Sequence, residues 1–277
     1  MPSARPIRLA AVVLAASVLA LGACSDDDSD STSSGGGDTP EATGDAPPTI
    51  EEGTLTVCSD VPYEPFEFEG GDGPSGYTGF DIDLMSAIAG TSELELAVTD
   101  VDFDGILGNL EAGTCDVVAS AVTITDERSE QVDFTDSYFD AEQSLLVKTD
   151  SDIAGLDDLD GQSIGVQSGT TGQTYAEDNA PPGAEVKGFD GADALFAALE
   201  SGDVDAILQD FPVNAYRATQ DESVDVVEEY PTEEAYGFAV QKGNDELLQA
   251  LNDGLGSVRD SGDYDDLYEE YFGSAPK

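Results

Sequence analysis

The sequence predicts an α/β fold made of two similar lobes, and two observations carry that prediction. From about Thr54 onward, short apolar runs suited to buried strands alternate with stretches of helical spacing, the pattern of parallel βαβ units. The chain also repeats itself faintly. Leu110-Glu111-Ala112-Gly113-Thr114-Cys115-Asp116-Val117-Val118 is matched by Leu199-Glu200-Ser201-Gly202-Asp203-Val204-Asp205-Ala206-Ile207. In both copies a helix stops at Gly, turns, and feeds a buried strand that closes on polar residues. Such joints recur in α/β proteins generally, yet two lobes explain the repeat better than one large sheet. At 277 residues the chain is long enough for two modest cores.

Taken in order, residues 1–23 read as a signal peptide. Arg5 and Arg8 give a positive start, an apolar run covers 9–21, and Leu21-Gly22-Ala23-Cys24 ends the segment. The run is too short for a durable membrane span. Leu-Gly-Ala-Cys resembles the lipobox of bacterial lipoproteins, which implies that Cys24 becomes the lipidated first residue after cleavage. Residues 24–53 are then expected to form an acidic tether. Over 25–49 it holds Ser, Asp, Gly, Pro and Thr with almost nothing apolar, too little burial to offset ordering entropy, so it should be disordered.

Leu55-Thr56-Val57 is a buried strand running into Cys58-Ser59-Asp60. Phe80, Leu84 and Ile88 stand at i, i+4, i+8 and predict a helix over 80–89, with Gly90 as its stop. Ile106, Leu107 and Leu110 share a second helical face ending at Gly113, and Val117-Val118-Ala119 is the next strand. The Gly169-Thr170-Thr171 turn opens a helix through Tyr175 and Ala176, and Ala206-Ile207-Leu208 is a buried strand ending at Gln209-Asp210. In open parallel sheets ligands sit beyond the carboxyl ends of strands. The candidate site residues are therefore Asp60, those at 120–128, those at 167–171, and Asp210, drawn from both lobes and facing across a cleft.

Composition narrows the function. There are 60 Asp+Glu against 9 Lys+Arg, a formal charge of −51. Such a surface repels nucleic acid and anionic lipid headgroups, which excludes both as partners. It favours solubility and loses stability to self-repulsion unless salt screens it. The chain has no His and no Trp, so reactions that need an imidazole base or ligand are excluded, and no metal or cofactor is expected.

Several segments together are similar to the family 3 extracellular solute-binding proteins, the polar amino acid receptors of ABC importers. They are Asp60-Val61-Pro62-Tyr63-Glu64-Pro65-Phe66, Gly79-Phe80-Asp81-Ile82-Asp83-Leu84-Met85, Thr123-Ile124-Thr125-Asp126-Glu127-Arg128, Gly169-Thr170-Thr171 and the ending Gly262-Asp263-Tyr264 with Tyr271-Phe272-Gly273. The resemblance runs from about Leu55 to Gly273. It implies a type II periplasmic-binding-protein-like fold: each lobe a parallel-dominated sheet flanked by helices, joined by a two-strand hinge. Lobe 1 would comprise 54–139 plus 237–277 and lobe 2 would comprise 140–236, with crossings near 139–143 and 235–237 and a C-terminal cap of helices around 246–259 and 264–272. Hinge closure on the ligand would be what the transporter reads.

A free amino acid needs a partner for its carboxylate, its ammonium and its side chain, because buried charge must be paired. The resemblance assigns the carboxylate to Arg128, whose planar fork suits it, and to the turn at Gly169 with the Thr171 amide at a helix start. It assigns the ammonium to Asp210, the Ala121 carbonyl and the Thr123 hydroxyl. Tyr63 and Phe103 match the aromatic pair that sandwiches the side chain, and Asp60, with Ser120 and Gln167, reads its distal end. Gln167 and Ala121 depart from close basic-amino-acid receptors, which have an apolar residue and Ser there. Asp60 favours a basic amino acid, arginine, lysine, ornithine or histidine, with glutamine next. The expected partners are that ligand, an ABC permease and the membrane through a lipid anchor, with the chain monomeric on the extracytoplasmic face. A same-fold enzyme, such as a cyclohexadienyl-type dehydratase, is the alternative. Cys58 and Cys115 invite a disulfide outside the cytoplasm, while simple parallel register would hold them apart; the pairing stays open.

Overall fold

The computed structural model describes residues 47–71 and 75–273. The leader, Cys24 and most of the tether lie outside those residues. The folded body begins before the expected boundary at residue 53. The Ile50 N–H donates to Asp116 Oδ1 at 2.7 Å and Glu51 bridges Thr54, so the residues just before the first strand are fastened by backbone groups.

The chain begins with β1 (Thr54–Ser59), the short hairpin β2 (Phe68–Glu69) and β3 (Tyr77–Thr78), and helix α1 (Phe80–Thr91). It continues through β4 (Glu95–Asp100), the single turn α2 (Gly108–Glu111), β5 (Val117–Val118), α3 (Asp126–Gln131) and β6 (Val132–Phe134). Next, β7 (Phe139–Lys148) leads into the second lobe: β8 (Ser163–Gln167), α4 (Thr171–Asn179), β9 (Glu185–Phe189), α5 (Ala192–Ser201), β10 (Ala206–Asp210), α6 (Phe211–Gln220) and β11 (Val224–Tyr236). The chain returns as β12 (Ala239–Gln241) and closes with α7 (Asp245–Ser261) and α8 (Asp263–Phe272).

Two five-stranded sheets result, ordered β4-β1-β5-β12-β6 and β11-β7-β10-β8-β9. In each, two neighbouring pairings are parallel and two antiparallel. The parallel-dominated sheets expected from the βαβ pattern therefore describe only half of each. The antiparallel half arises where the crossing chain doubles back: β7 and β11 pair with each other, and β12 inserts against β5 and β6.

Helix α1 starts where it does because of Gly79. Its φ is 122°, and a Cβ there would sit 2.2 Å from the Phe66 carbonyl oxygen, so only glycine lets the helix meet the preceding loop. The helix buries Phe80, Leu84, Met85 and Ile88, and runs through Gly90 to Thr91 rather than stopping at it. Gly90 costs helix propensity but keeps its helical bonds, and the turn waits for Ser92. The first core gathers Phe66, Phe80, Tyr138, Tyr236 and Phe238, all at 1% exposure or less. Burying each large side chain contributes roughly 1.5–3 kcal/mol. The second core is aliphatic, built on Leu145, Ile164, Val166 and Leu208.

The crossing is a two-strand hinge. Phe139 pairs with Tyr236, Asp140 with Ala235 and Ala141 with Glu234, after which the register shifts so that Gln143 faces Tyr230. Four steps along β11 thus oppose two along β7, and Glu233 takes φ 54° within the bulge.

Cys58 and Cys115 are joined in a disulfide with Cα atoms 5.7 Å apart. Register alone would have kept them apart, since Cys58 pairs with Val118. Cys115 lies in the bend before β5 rather than within it, and the bend carries it back over the face of β1.

Candidate functional site

The first wall grows from strand ends of the first lobe. Asp60 follows β1 directly, Tyr63 stands in the next loop, and the segment 119–124 leaves β5 and docks on the hinge. Ile124 N–H donates to the Ala235 carbonyl at 2.8 Å and Gly237 N–H to the Val122 carbonyl at 3.1 Å. Helix α3 begins at Thr125, whose hydroxyl caps the Arg128 N–H at 3.1 Å. That cap turns the Arg128 side chain back toward the loop.

The second wall is made of the ends of β8 and β10 and the start of α4. Gln167 closes β8. Thr170 caps α4, its hydroxyl accepting the Gln173 N–H at 3.0 Å while donating to the Gln167 carbonyl at 2.8 Å. Asp210 closes β10 and is 7% exposed.

The walls meet. A narrow cleft is lined on one side by Tyr63, Phe103, Ala121, Thr123 and Arg128, and on the other by Gln167, Thr170, Thr171 and Asp210. Its free volume is about 10 Å³, about what one water molecule requires. Bonds cross it directly. Tyr63 OH donates to Asp210 Oδ2 at 3.1 Å, Gln167 Nε2 to Asp60 Oδ2 at 2.5 Å, and Arg128 Nη2 to the Gly169 carbonyl at 3.1 Å.

Arg128 is bound to backbone rather than to its acidic neighbours. Nη1 donates to the Thr123 carbonyl at 2.8 Å, and the guanidinium lies over the Phe103 ring, 5.5 Å from its centroid. Among the described residues it forms no ion pair with Asp126, Glu127 or Glu130. Burial lowers its pKa, opposed by the charges of Asp210 and Glu234.

Three of the expected residues stand back from the lining. Asp60 lies behind Gln167. Gly169 presents its carbonyl to Arg128, in a left-handed turn at φ 78°. Ser120 does not reach the cleft, because its hydroxyl accepts the Asp60 N–H at 3.0 Å and donates to Glu67 Oε1 at 2.7 Å. In this arrangement Ser120 braces the loop between Asp60 and Glu67.

Behind that loop lie two acids with no exposure, Glu67 and Asp81. Asp81 Oδ2 accepts the Ala121 N–H at 2.8 Å and Tyr138 OH at 2.7 Å, holding Ala121 at φ 46°. Glu67 Oε2 and Asp81 Oδ1 have no partner among the described residues. Burial pushes Asp81 up to about 7. Glu67 rises well above the carboxylate range, from burial first and then from the charge of Asp81. Burial thus disfavours the charged form of both acids.

Asp210 in the cleft and Asp60 behind it are displaced in the same direction. Asp210 is pushed up to about 6, chiefly by burial and next by Glu234, against three donors that hold it down: Tyr236 OH, Gln143 Nε2 and Tyr63 OH. Asp60 also rises to about 6. Burial is again the main cause, the Gln167 bond opposes it, and Asp100 and Asp102 add to it.

Residues that pattern reading missed come from the hinge: Gln143 of β7, and Glu234 and Tyr236 of β11. Gln143 Nε2 reaches Asp210 Oδ1 at 2.5 Å and Glu234 Oε1 at 3.0 Å. No motif marks them, since hinge strands end in neither a Gly turn nor a helix start. No group of acids or cysteines among the described residues is arranged to hold a metal. The cleft instead offers one guanidinium and a helix start for an anion, buried carboxylates for cations, and aromatic faces for a side chain between them.

Comparison with known proteins gives a consistent neighbourhood. The family model for bacterial extracellular solute-binding proteins, family 3, matches residues 55–274. The chain is 33% identical over 273 residues to a probable histidine-binding protein of Neisseria gonorrhoeae, covering 95% of this chain and 94% of that one. Among solved structures it is similar to an ancestral arginine-binding protein bound to glutamine, with 40% identity and a TM-score of 0.75, over 81% of this chain and 100% of that one. It is also similar to an ancestral amino acid-binding protein described as a precursor of cyclohexadienyl dehydratase, with 40% identity and a TM-score of 0.73, over 79% and 96%.

Proposed function

The chain belongs to the bacterial extracellular solute-binding proteins of family 3, and on that footing we propose that it captures a polar amino acid between its lobes and delivers it to an ABC importer. It is a binding protein and not an enzyme, as its named relatives are. The observation that carries the reading is the pairing of Arg128 on one wall with Asp210 on the other, both opening on the same cleft. A zwitterion between them satisfies two buried charges at once.

Arg128 and the Thr171 amide take the carboxylate, and Asp210, the Thr123 hydroxyl and the Ala121 carbonyl take the ammonium. Tyr63 and Phe103 flank the side chain, whose far end meets Asp60 and Gln167. Asp60 favours a basic amino acid, since a cationic head would pair a carboxylate that burial otherwise disfavours. Gln167 gives glutamine the next claim. The chain works as an exported monomer held by lipid on Cys24, its tether leaving the body free to meet the permease, and the closed state is what the permease recognises.

Thermal-shift screening against the twenty amino acids, ornithine and citrulline tests this. A ligand at a hundredfold excess over Kd should raise stability by about 2.7 kcal/mol. Arg128→Ala and Asp210→Asn should each abolish binding by calorimetry with circular dichroism unchanged. Near-native affinity in either variant would overturn the site.

A further inference from the structure

Glu234, which lines the wider pocket adjoining the cleft beside Arg128 and Thr171, is the one carboxylate around the site that neither strand ends nor motifs account for. It comes from the hinge bulge, four steps along β11 opposing two along β7, and bulges re-aim side chains. Its Oε2 accepts Thr123 Oγ1 of the first wall at 2.8 Å and Thr171 Oγ1 of the second at 2.7 Å. Its Oε1 accepts Gln143 Nε2 at 3.0 Å, the same amide that donates to Asp210. A hydroxyl has one proton and two lone pairs. Because the Thr123 proton is spent on Glu234, Thr123 can turn only lone pairs to the cleft.

We infer that Glu234 is a positioning residue for ammonium capture, which fixes Thr123 as an acceptor and ties both walls to the hinge. The inference rests on the amino acid reading above and deepens it. A neutral hydroxyl accepts an ammonium proton only when its own proton points elsewhere, and a hinge carboxylate is a strong acceptor to draw it away. Gln143 extends the same order to Asp210, one amide orienting both carboxylates. The ammonium thus meets acceptors alone.

Calorimetry on the full mature chain tests this with two pairs of probes: L-arginine and 5-guanidinopentanoate, its des-amino analogue, then L-glutamine and glutaramate. Glu234→Gln preserves shape and removes the charge. For whichever amino acid binds, affinity should fall about tenfold, the scale of one charge-assisted hydrogen bond, while the matching analogue changes little. In a Thr123→Val background the same substitution should no longer separate amino acid from analogue. Equal losses for both probes, or no loss for either, would overturn the inference while leaving the site intact. If the thermal-shift screen finds another amino acid, that ligand and its des-amino analogue replace these probes. Wild-type protein that binds no amino acid of the screen would overturn the reading of the site, and this inference with it.

Discussion

The two lobes share a topology and differ in substance. The first is stapled by the Cys58–Cys115 disulfide, and its centre is a web of rings. Phe66 meets Phe139 at 5.1 Å and Tyr236 at 5.4 Å, and Tyr138 stacks on Phe238 at 4.1 Å. The second has no disulfide among its described residues, and its cores are mostly aliphatic with Tyr175 and Tyr230 paired at the edge. The first lobe also carries the guanidinium and both aromatic walls. The second contributes strand ends and a helix start, groups that backbone geometry supplies without a specialised core. The disulfide and the ring web thus fall in the lobe that carries the guanidinium and both aromatic side chains, and ordering side chains beforehand lowers what binding has to overcome.

That contrast can be broken most directly at the disulfide. Replacing Cys58 and Cys115 together by Ser should cost about 3–4 kcal/mol in denaturant unfolding, the loop-closure value for such a span, given a sequence separation of 57. Near-UV circular dichroism, reporting the rings of the first lobe, should lose its signal before far-UV ellipticity does. A cost under about 1 kcal/mol would mean that the aromatic web alone sets the stiffness of the lobe.

The buried acids give a second, smaller test. Asp81 has its folded pKa raised from 3.8 to about 7. The folded state therefore binds more protons than the unfolded one between those values, and stability is highest below about 4 and falls as pH rises toward 7. Between about pH 4 and 7 the contribution is on the order of 3 kcal/mol. In about 1 M salt, where surface charges are screened within roughly 3 Å, the decline should persist in the native chain and become shallower in Asp81→Asn, the remainder coming from Glu67, Asp60 and Asp210. A decline that salt abolishes would assign it to the acidic surface and leave the first lobe without this feature.

The smallest effect belongs to the second lobe. Thr170→Ala removes the cap of α4 and should lower stability by about 1 kcal/mol, with ligand affinity falling in step as the Thr171 amide loosens. If calorimetry shows unchanged affinity, the helix start is not part of the anion site.

Much of this was legible in the sequence because it is written locally. Phe80, Leu84 and Ile88 announce α1, the Gly169-Thr170-Thr171 turn opens α4, and Asp60 and Asp210 follow apolar runs that must be strands. What was hidden depends on pairing between distant segments. Glu234 looks like one acid among many, and only the register shift against β7 turns it toward the site. Ser120 sits beside residues that line the site, yet two buried partners occupy its hydroxyl. Cys115 was placed by the bend before a strand, a detail that apolar spacing does not encode. The balance of parallel and antiparallel pairings was equally out of reach, because β12 has no neighbour in sequence among its partners in the sheet.

The seat of β12 has a consequence for the order of assembly. It lies between β5 and β6, although the whole second lobe separates it from both along the chain. A polypeptide emerging from its amino end can build that second lobe from contiguous material, whereas the earlier-made half keeps a slot open until residues 239–241 arrive. Contacts across so long a separation form slowly, and an unfilled slot between strands is an invitation to mispairing. The two cysteines, both delivered early, can lock their corner of the unfinished sheet while it waits.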